Sequence, residues 1–535
     1  MLMIFKRISF YMGLICFYGI LPGFKSHAQG ELGRRLSVNR IEAYGSPLGD
    51  AFQGANFAFD TLDPTLLYTS ALWIGGRDRG DTLRLAAMTY RQSGTDFFYG
   101  PNVRDFASQD TDALDTSGRW DQGFFVTSDA IDDLQQGGPV SNPIRRWPWA
   151  GRRGTTEPDR IAPFVDVDRD GRYDPDAGDY PKMKGTHSIF MAGNDHSGLH
   201  KESQAFPILT DVFTQMYAYD CEDTVLSRTL FITYQFINRG NKRFDRFYMT
   251  TFNDFDLGLV FNDFIGTDTS RNYVYVYNGD SNQINSPASF GADAPAMAVK
   301  YLNHPLAYSM YYNNNSGPTG NPEEARHYYH YMKATWKDGI PLTNDGEDGR
   351  VADTSVNPTR YAYPGDPLAP SGWNEVTAGS VPGDRRILAT AGPFAFTPGD
   401  TLTLEVAYIV NRSTDSHLGN VKTLRNDAEY IQNLYDQGRL GRGCETLTAA
   451  PEARQQNLPA PEVYPNPARS HILLHTPQSE LMVWRLYNSH GQEVMQDRLE
   501  ARTTHRLPLP ELAPGVYPYQ LSGVRRNYLG KLIIR

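Results

Sequence analysis

The chain has 535 residues, of which 40% are hydrophobic, 12% aromatic and 21% charged. This length corresponds to about two to four domains of ~150 residues each. The composition is that of a folded chain, since disordered chains have fewer aromatic residues and more charge, and it excludes collagen, coiled coils and multi-span membrane proteins. The formal net charge of −10, from 51 Lys and Arg against 61 Asp and Glu, argues against nucleic acid as a partner.

The N-terminus has the parts of a secretory signal peptide. Two basic residues precede a largely apolar run over residues 8–24, and Ser26 and Ala28 place small residues before the expected cleavage site. Residues 1–28 are therefore predicted to be removed during export to the periplasm. A permanent membrane anchor is the alternative, but an apolar run of about 17 residues is short for a span. After cleavage we expect no transmembrane span.

Residues 29–445 are predicted to form a β-rich extracellular body. Short runs of apolar, β-branched and aromatic residues are separated by clusters of Gly, Pro, Asn and Asp. The clearest strand candidates are Thr229–Asn238, Phe247–Phe252, Tyr273–Tyr277 and Thr401–Val410. We predict an all-β fold, with an antiparallel β-sandwich-like body of one or two sub-domains, long loops and few helices.

One stretch of the body is predicted to be a helix. Apolar residues over about residues 418–438 recur at spacings of three or four, and Gly438 is suited to end the helix. Val421, Leu424 and Ile431 are expected to face the core.

An acidic loop in the body has the pattern of a calcium-binding loop. Asp residues occupy positions 1, 3, 5 and 9 of the pattern, and Gly171 at position 6 permits a sharp turn. Position 12 is Ala177 instead of an acid, so Asp176 or Asp179 has to replace it. The predicted ligands of a structural Ca²⁺ are Asp166, Asp168, Asp170, Arg172 through its carbonyl group, Asp174 and Asp179. A solvated acidic turn is the alternative.

A second acidic group follows two of the predicted strands. Its members are Asp254, Asp256, Asp263 and Asp268. Three interpretations stay open for this group: a second cation site, a pair of catalytic carboxylates, or ordinary turn residues, because Asp is common in turns.

The body contains none of the common catalytic motifs, such as G-x-S-x-G, a P-loop, G-x-G-x-x-G or S-x-x-K. His196 and His200 have a spacing that suits zinc on a helix, but Ser197 and Gly198 between them disfavour a helix, and we expect a polar loop. No catalytic residue is therefore predicted. The aromatic run Tyr328–Tyr331 is expected to pack as a strand or to form a binding surface.

Two cysteines remain after removal of the signal peptide, Cys221 and Cys444. In an exported protein they are able to form a disulfide, because the environment outside the cytoplasm is oxidising. Two free buried thiols are the alternative.

A linker that contains several prolines, residues 446–461, precedes a C-terminal segment, residues 462–535. Short strand-like runs in this segment predict a small Ig-like β-sandwich. Its most distinctive residues are Tyr464, Pro465, Asn466, Pro467, Gly491, Gly515, Tyr517, Gly530 and Lys531. On these residues the segment resembles the type A C-terminal sorting domain of the type IX secretion system, which is found in Bacteroidota.

The resemblance implies an export route and a partner. The type IX machinery is expected to recognise the C-terminal domain, move the protein across the outer membrane and remove the domain. The protein would then be secreted or attached to the cell surface. Blocks of the body, among them Thr89–Phe97, Tyr363–Pro367 and Gly383–Arg386, resemble large exported proteins with the same tail. That likeness implies kinship of fold and no particular activity.

These observations lead to two hypotheses about function. The first is a calcium-stabilised binding or adhesion protein at the cell surface, whose ligand is a glycan or another protein. The second is a secreted hydrolase, directed at polysaccharide, whose active site lacks a familiar motif. Two carboxylates about 5–9.5 Å apart in a deep cleft would favour the hydrolase.

Overall fold

A computed structural model of the chain describes residues 34–38, 41–52, 64–90, 94–101, 118–152, 157–279, 289–351, 358–414, 416–444, 462–475, 482–488, 493–499, 504–523 and 527–535. The predicted signal peptide, the predicted linker and Gly491 lie outside these residues. The chain separates into two compact units, Met1–Thr448 and Ala449–Arg535. The first unit contains the body, and the second contains the C-terminal segment.

The body consists mainly of antiparallel strands, which confirms the predicted fold class. Its strands are β1 (Arg35–Val38), β2 (Ile41–Tyr44), β3 (Asp50–Ala51), β4 (Leu67–Asp78), β5 (Leu83–Ala87), β6 (Phe98–Tyr99), β7 (Phe124–Thr127), β8 (Phe164–Val165), β9 (Tyr180–Pro181), β10 (His187–Asn194), β11 (Thr210–Ala218), β12 (Thr229–Asn238), β13 (Phe244–Phe255), β14 (Asp263–Asp268), β15 (Tyr273–Asn278), β16 (Ala296–Tyr301), β17 (Tyr308–Asn313), β18 (Arg385–Phe396) and β19 (Thr401–Asn411). Its helices are α1 (Ser128–Gln135), α2 (Asn142–Arg145), α3 (Ala325–Tyr331), α4 (Glu375–Ala378) and α5 (His417–Asp436). Within the described ranges, no helix has the length and apolar character needed to cross a membrane.

Two large sheets form the body. The nine-stranded sheet has the order β14-β15-β16-β19-β12-β11-β10-β6, and β7 also pairs with β10. The six-stranded sheet has the order β17-β18-β13-β4-β3, and β5 also pairs with β4. The four strands predicted most clearly from the sequence lie in these sheets as β12, β13, β15 and β19.

The two sheets pack face to face. The hydroxyl oxygen of Tyr301 in β16 accepts a hydrogen bond from the backbone N–H of Thr251 in β13 at 3.0 Å. The hydroxyl groups of Tyr408 in β19 and Ser70 in β4 are hydrogen-bonded at 2.8 Å. Buried apolar side chains of both sheets surround these contacts in one continuous core. Removal of this apolar surface from water is the main stabilising contribution.

Helix α5 covers the outer face of the nine-stranded sheet, close to the predicted range. Val421, Leu424 and Ile431 are at most 1% exposed, and they pack in one cluster with Phe231 and Tyr275 of the sheet. Because this sheet is covered on both faces, β15, β16 and β19 are apolar along most of their length instead of alternating.

An outer layer of helices and loops covers another part of the nine-stranded sheet. It contains α1, α2, β8 and β9 and has its own buried cluster. The ring of Trp147 packs on Phe190 of β10, with ring centroids 5.6 Å apart, and Phe190 packs on Phe213 of β11 at 5.8 Å. This layer carries the acidic loop that was predicted to bind calcium.

The structure corrects the expectation of a strand at Tyr328–Tyr331, which forms most of helix α3. The ring centroid of Tyr328 lies 4.7 Å from that of Trp73, and that of Tyr331 lies 5.2 Å from that of Tyr312. These tyrosines are buried, so they are core residues and do not form a binding surface. A run of seven helical residues is too short to show helical periodicity in the sequence.

The C-terminal unit contains two small sheets with a core of its own. Its strands are β20 (Glu462–Tyr464), β21 (His471–His475), β22 (Met482–Tyr487), β23 (Glu493–Leu499), β24 (Thr504–Pro508), β25 (Gly515–Gly523) and β26 (Asn527–Ile534). The sheet orders are β20-β21-β24 and β23-β22-β25-β26. Trp484, Leu486, Leu521 and Leu532 are buried in its core, as a small β-sandwich requires.

Candidate functional site

The acidic loop connects the short paired strands β8 and β9 of the outer layer. Val165 pairs with Tyr180 in this antiparallel ladder. Asp166 follows Val165, and Asp179 precedes Tyr180. The pairing of β8 with β9 therefore brings together two acids that are far apart in the calcium-loop pattern. The loop between them turns through Gly171, whose φ of 81° is in the left-handed region that glycine favours.

Three carboxylates of the loop converge. One oxygen from each of Asp166, Asp168 and Asp179 lies within 4.8 Å of the other two. Oδ2 of Asp166 accepts a hydrogen bond from the N–H of Gly171 at 2.9 Å. Its Oδ1 is buried and has no hydrogen-bond partner within the described part of the chain. A buried oxygen without a partner costs free energy, and a hard cation would satisfy it.

Backbone groups hold Asp179 in this position. Its side chain is fully buried and accepts hydrogen bonds from the N–H groups of Val167 at 2.8 Å and Asp174 at 2.9 Å. Asp179 lies two residues beyond position 12 of the calcium pattern, where Ala177 stands. Because β8 pairs with β9, Asp179 lies near Asp166 in spite of this offset in the sequence.

Two of the other predicted ligands, the carboxylates of Asp170 and Asp174, lie outside the group of three convergent carboxylates. Asp170 accepts a hydrogen bond from the N–H of Arg172 at 2.7 Å, and Asp174 accepts one from the N–H of Asp176 at 3.0 Å. Asp176 is ion-paired with Arg145 at 2.8 Å. The guanidinium of Arg145 lowers the pKa of Asp176, so this carboxylate already has a cationic partner.

The convergence of the three carboxylates places Asp168 close to other negative charges. The N–H of Asp170 lowers the pKa of Asp168, but desolvation and the carboxylates of Asp170 and Asp179 outweigh it, and the net effect is a raised pKa. A divalent cation would relieve this repulsion.

The second acidic group is only partly assembled. Asp254, near the end of β13, pairs in the ladder with Arg386, at the start of β18. Carboxylate oxygens of Asp254, Asp256 and Asp384 lie within 4.8 Å of one another. Arg386 pairs with Asp254 at 3.1 Å and with Asp384 at 2.5 Å. The guanidinium therefore supplies positive charge that a second cation would otherwise bring.

Burial dominates the electrostatics of this group. Desolvation raises the pKa of Asp254 above its usual range, although Arg386 opposes the change. Desolvation, together with the charge of Asp384, raises the pKa of Asp256 to about 6. The group thus contains carboxyls that hold their protons more tightly than exposed ones do.

Two of the residues predicted for this group lie outside it. Asp263 is buried in β14 and accepts a hydrogen bond from the N–H of Leu257 at 3.2 Å. Asp268 is ion-paired with Arg271 at 3.0 Å. Asp384, in the block Gly383–Arg386, joins this group and was not predicted from the sequence as a site residue. Asp384 directly precedes β18, and the first residues of β18 pair with the end of β13. That position is the sequence feature that indicates its proximity to Asp254.

His196 and His200 lie in a buried turn after β10. The ring nitrogens of His200 contact two backbone carbonyl oxygens, Nδ1 that of Leu85 at 2.8 Å and Nε2 that of Asp195 at 2.6 Å. Both ring nitrogens of His200 therefore face backbone carbonyl oxygens, and neither is directed at a position where zinc would bind.

Cys221 and Cys444 form a disulfide with a Cα–Cα distance of 6.0 Å. The two residues are separated by 223 positions. The bond ties the segment after α5 to the loop that joins β11 and β12.

One of the sorting residues, Asn466, is hydrogen-bonded to the last strand of the C-terminal unit. The side chain of Asn466 donates a hydrogen bond to the carbonyl oxygen of Lys531 at 2.9 Å and accepts one from the N–H of Ile533 at 2.8 Å. Gly530 lies against Tyr519, and a Cβ at position 530 would be 2.2 Å from Cζ of that ring. The asparagine and the glycine of the motif thus have specific structural roles.

A family model described as "Secretion system C-terminal sorting domain" matches residues 462–535. These residues are a type IX sorting domain. The resemblance inferred from the sequence is confirmed, and the protein is exported cargo of the type IX system. It is secreted or displayed at the cell surface, and its sorting domain implies an interaction with the secretion machinery.

Comparison with other proteins adds no assignment for the body. No curated protein sequence matches the chain. A polysaccharide lyase of known structure is 9% identical with a TM-score of 0.19, and the match covers 73% of this chain and 41% of the lyase. The BSP domain of a biofilm-associated protein is 9% identical with a TM-score of 0.15, and the match covers 65% of this chain and 59% of that domain. The chain therefore spans less than two thirds of either protein, and likenesses this weak carry no argument.

Proposed function

We propose that this type IX cargo protein acts outside the cell as a binding protein whose outer layer is stabilised by calcium. The sandwich of two large sheets provides a rigid scaffold, and loops on such a scaffold are where binding residues concentrate. The ligand is a surface glycan or a protein. Adhesion to the cell surface or to its surroundings is the corresponding role.

The convergence of Asp166, Asp168 and Asp179, with a buried oxygen of Asp166 that has no hydrogen-bond partner among the described residues, is the observation that supports calcium. All three ligands are hard oxygens, which Ca²⁺ prefers, and zinc would favour nitrogen or sulfur. Backbone carbonyls and water would complete a set of six to eight oxygens. Extracellular calcium sites bind at about 10⁻⁴–10⁻³ M, which is enough for permanent occupancy outside the cell.

Chelation tests this proposal. EDTA should lower the Tm of the purified exported protein, and added calcium should restore it. Calcium at ten times its Kd stabilises the folded state by about 1.4 kcal/mol. Magnesium should restore less, because it requires a tighter octahedral geometry. A Tm that EDTA leaves unchanged, in protein that elemental analysis finds free of metal, would contradict the calcium site.

A hydrolase is the second candidate, and the raised pKa of Asp256 favours it. A general acid needs a carboxyl that keeps its proton near neutral pH. The pairing of Arg386 with both Asp254 and Asp384 disfavours it, because it engages two of the three acids. Turnover of a polysaccharide that is lost in Asp256→Asn would favour hydrolysis, whereas binding without turnover would favour the first proposal.

A further inference from the structure

A separate pocket lies at the turn that joins β14 to β15. It has a volume of about 200 Å³. Its walls come from that turn, from the loop around Pro364 and from α5. The lining residues are Thr267, Asp268, Thr269, Ser270, Arg271, Tyr275, Pro364, Gly365, Asp366 and Arg425. We call it the β14–β15 pocket.

Two pairs of opposite charge hold the polar groups of the pocket in place. The guanidinium of Arg425 donates two hydrogen bonds to Asp366, at 3.0 Å and 2.5 Å. Nη1 of Arg271 donates to Asp268 at 3.0 Å, and its Nε donates to Glu429 at 2.7 Å. A bidentate pair of this kind has a fixed orientation. The pocket is therefore organised before any ligand enters.

The charged groups of the pocket are already paired with one another. Asp268 and Asp366 contribute two negative charges to the lining, and Arg271 and Arg425 contribute two positive charges. Glu429, which also pairs with Arg271, adds a third negative charge beside it. An anionic ligand would be repelled by the carboxylates, and a cation would be repelled by the guanidiniums, so the paired charges favour a neutral ligand with many polar groups.

The polar groups of the pocket both donate and accept hydrogen bonds. Thr269 is exposed, and its hydroxyl group is able to act as donor or acceptor. The hydroxyl group of Ser270 is also exposed, but it already donates to Asp268 at 2.6 Å and is left to accept. Nη2 of Arg271 donates to no acceptor among the described residues, since the bonds of that side chain use Nε and Nη1. A sugar hydroxyl also donates and accepts, so a polyol is the ligand class that satisfies this mixed lining.

The size of the pocket limits the ligand. Sites for drug-sized molecules are about 300–1,000 Å³, and this pocket is smaller. One sugar ring fits that limit, with the buried Tyr275 as part of the pocket wall.

We propose that the β14–β15 pocket binds one hexose unit of a neutral glycan. This inference deepens the proposed binding function and rests on it, because it names the ligand class and the place. It does not involve the acidic loop, which lies in the outer layer of the body.

Binding of methyl hexosides to the full exported protein tests the inference. Saturation-transfer difference NMR with the methyl pyranosides of glucose, galactose and mannose should show saturable binding of at least one of them. Thr269→Trp should weaken this binding at least tenfold, because the indole would fill the mouth of the pocket without breaking the charge pairs. Thr224→Trp, at an exposed threonine outside the pocket, is the matched control and should bind as the wild type does.

Three results would overturn the inference. They are the absence of saturable binding by all three hexosides, equal binding by Thr269→Trp and the wild type, and binding of methyl glucuronide in preference to every neutral sugar. Circular dichroism of both variants separates loss of binding from loss of fold. Calcium content and the effect of EDTA on the same samples test the proposed function separately, since calcium dependence without hexose binding would remove only this inference.

Discussion

Asp170 and Asp179 belong to the same acidic stretch but have different environments. Asp170 is exposed and bonds to the neighbouring backbone of Arg172. Asp179 is buried, and one of its oxygens converges with those of Asp166 and Asp168. At the residue scale, the role of an acid therefore depends on which backbone groups surround it more than on its place in a motif.

The first prediction compares these two acids. Asp179→Asn should abolish most of the rise in Tm that calcium causes, because it removes a charge at the convergence. Asp170→Asn should keep most of that rise. Asp179→Asn also weakens one backbone hydrogen bond and should cost about 1–3 kcal/mol without calcium, so the quantity to measure is the difference in Tm with and without calcium. Equal differences in the two variants would argue against the group of three ligands.

Lys300 supplies the second prediction. Its side chain is 2% exposed, its Nζ donates to the carbonyl oxygen of Arg271, and desolvation lowers its pKa from 10.5 to about 8. Between these values the unfolded chain keeps the proton and the folded chain loses it. The free energy of unfolding should therefore rise by about 2–3 kcal/mol from pH 8 to pH 10.5 on account of this group.

Urea unfolding at several pH values measures this effect. Tyrosines also ionise near pH 10, so the comparison is between the wild type and Lys300→Met from pH 8 to pH 9.5. The wild type should gain stability relative to the variant as the pH increases. Parallel pH profiles for the two proteins would show that burial of Lys300 does not perturb its titration.

At the scale of elements, strand pairing and helix packing decide which residues meet. The β13–β18 ladder places Asp254 opposite Arg386, and the β8–β9 ladder brings Asp166 toward Asp179. Helix α5 packs on the outer face of the nine-stranded sheet with a narrow stripe of apolar side chains. Each of these elements joins residues that are distant in the sequence.

The third prediction tests the packing of α5. Leu424 is fully buried, and Leu424→Ala should lower the free energy of unfolding by about 2–5 kcal/mol, because it removes apolar contacts and leaves a cavity. Asn426→Ala, on the exposed face of the same helix, should change it by less than about 0.5 kcal/mol. Chemical denaturation measures both. Similar losses in the two variants would mean that α5 does not pack on the sheet through Leu424.

At the scale of the whole molecule, export and the extracellular role belong to different units of the chain. The body and the C-terminal unit have separate hydrophobic cores. Within the sorting domain, Asn466 forms hydrogen bonds with two residues of β26. Loss of this domain should therefore block export without unfolding the body.

The fourth prediction concerns export. Deletion of residues 462–535 should leave the protein in the periplasm. Asn466→Ala should reduce the exported fraction, because it removes two hydrogen bonds of about 0.5–1.5 kcal/mol each. Arg469→Ala, at an exposed position of the same segment, should be exported normally. Cell fractionation with immunoblotting gives the readout, and surface display of the deleted form would contradict an essential role for the domain.

Several features were predictable from the sequence because their signals are local. The strands β12 and β19, helix α5 and the sorting domain each depend on residues close together in the chain, where periodicity and turn residues are readable. The acidic loop was also found, since its first acids recur at a spacing of two residues. These local patterns determined the fold class and the export route.

Only the tertiary structure decided which distant residues meet. It brought Asp179, and not Asp176, to Asp166 and Asp168 through strand pairing, added Asp384 to the second acidic group, and placed Asp268 in a pocket with Arg425. It also buried the tyrosines of α3 in the core. The physical reason is the same in each case: these contacts join segments far apart in the chain, and their positions depend on sheet register and packing, which no local sequence pattern specifies.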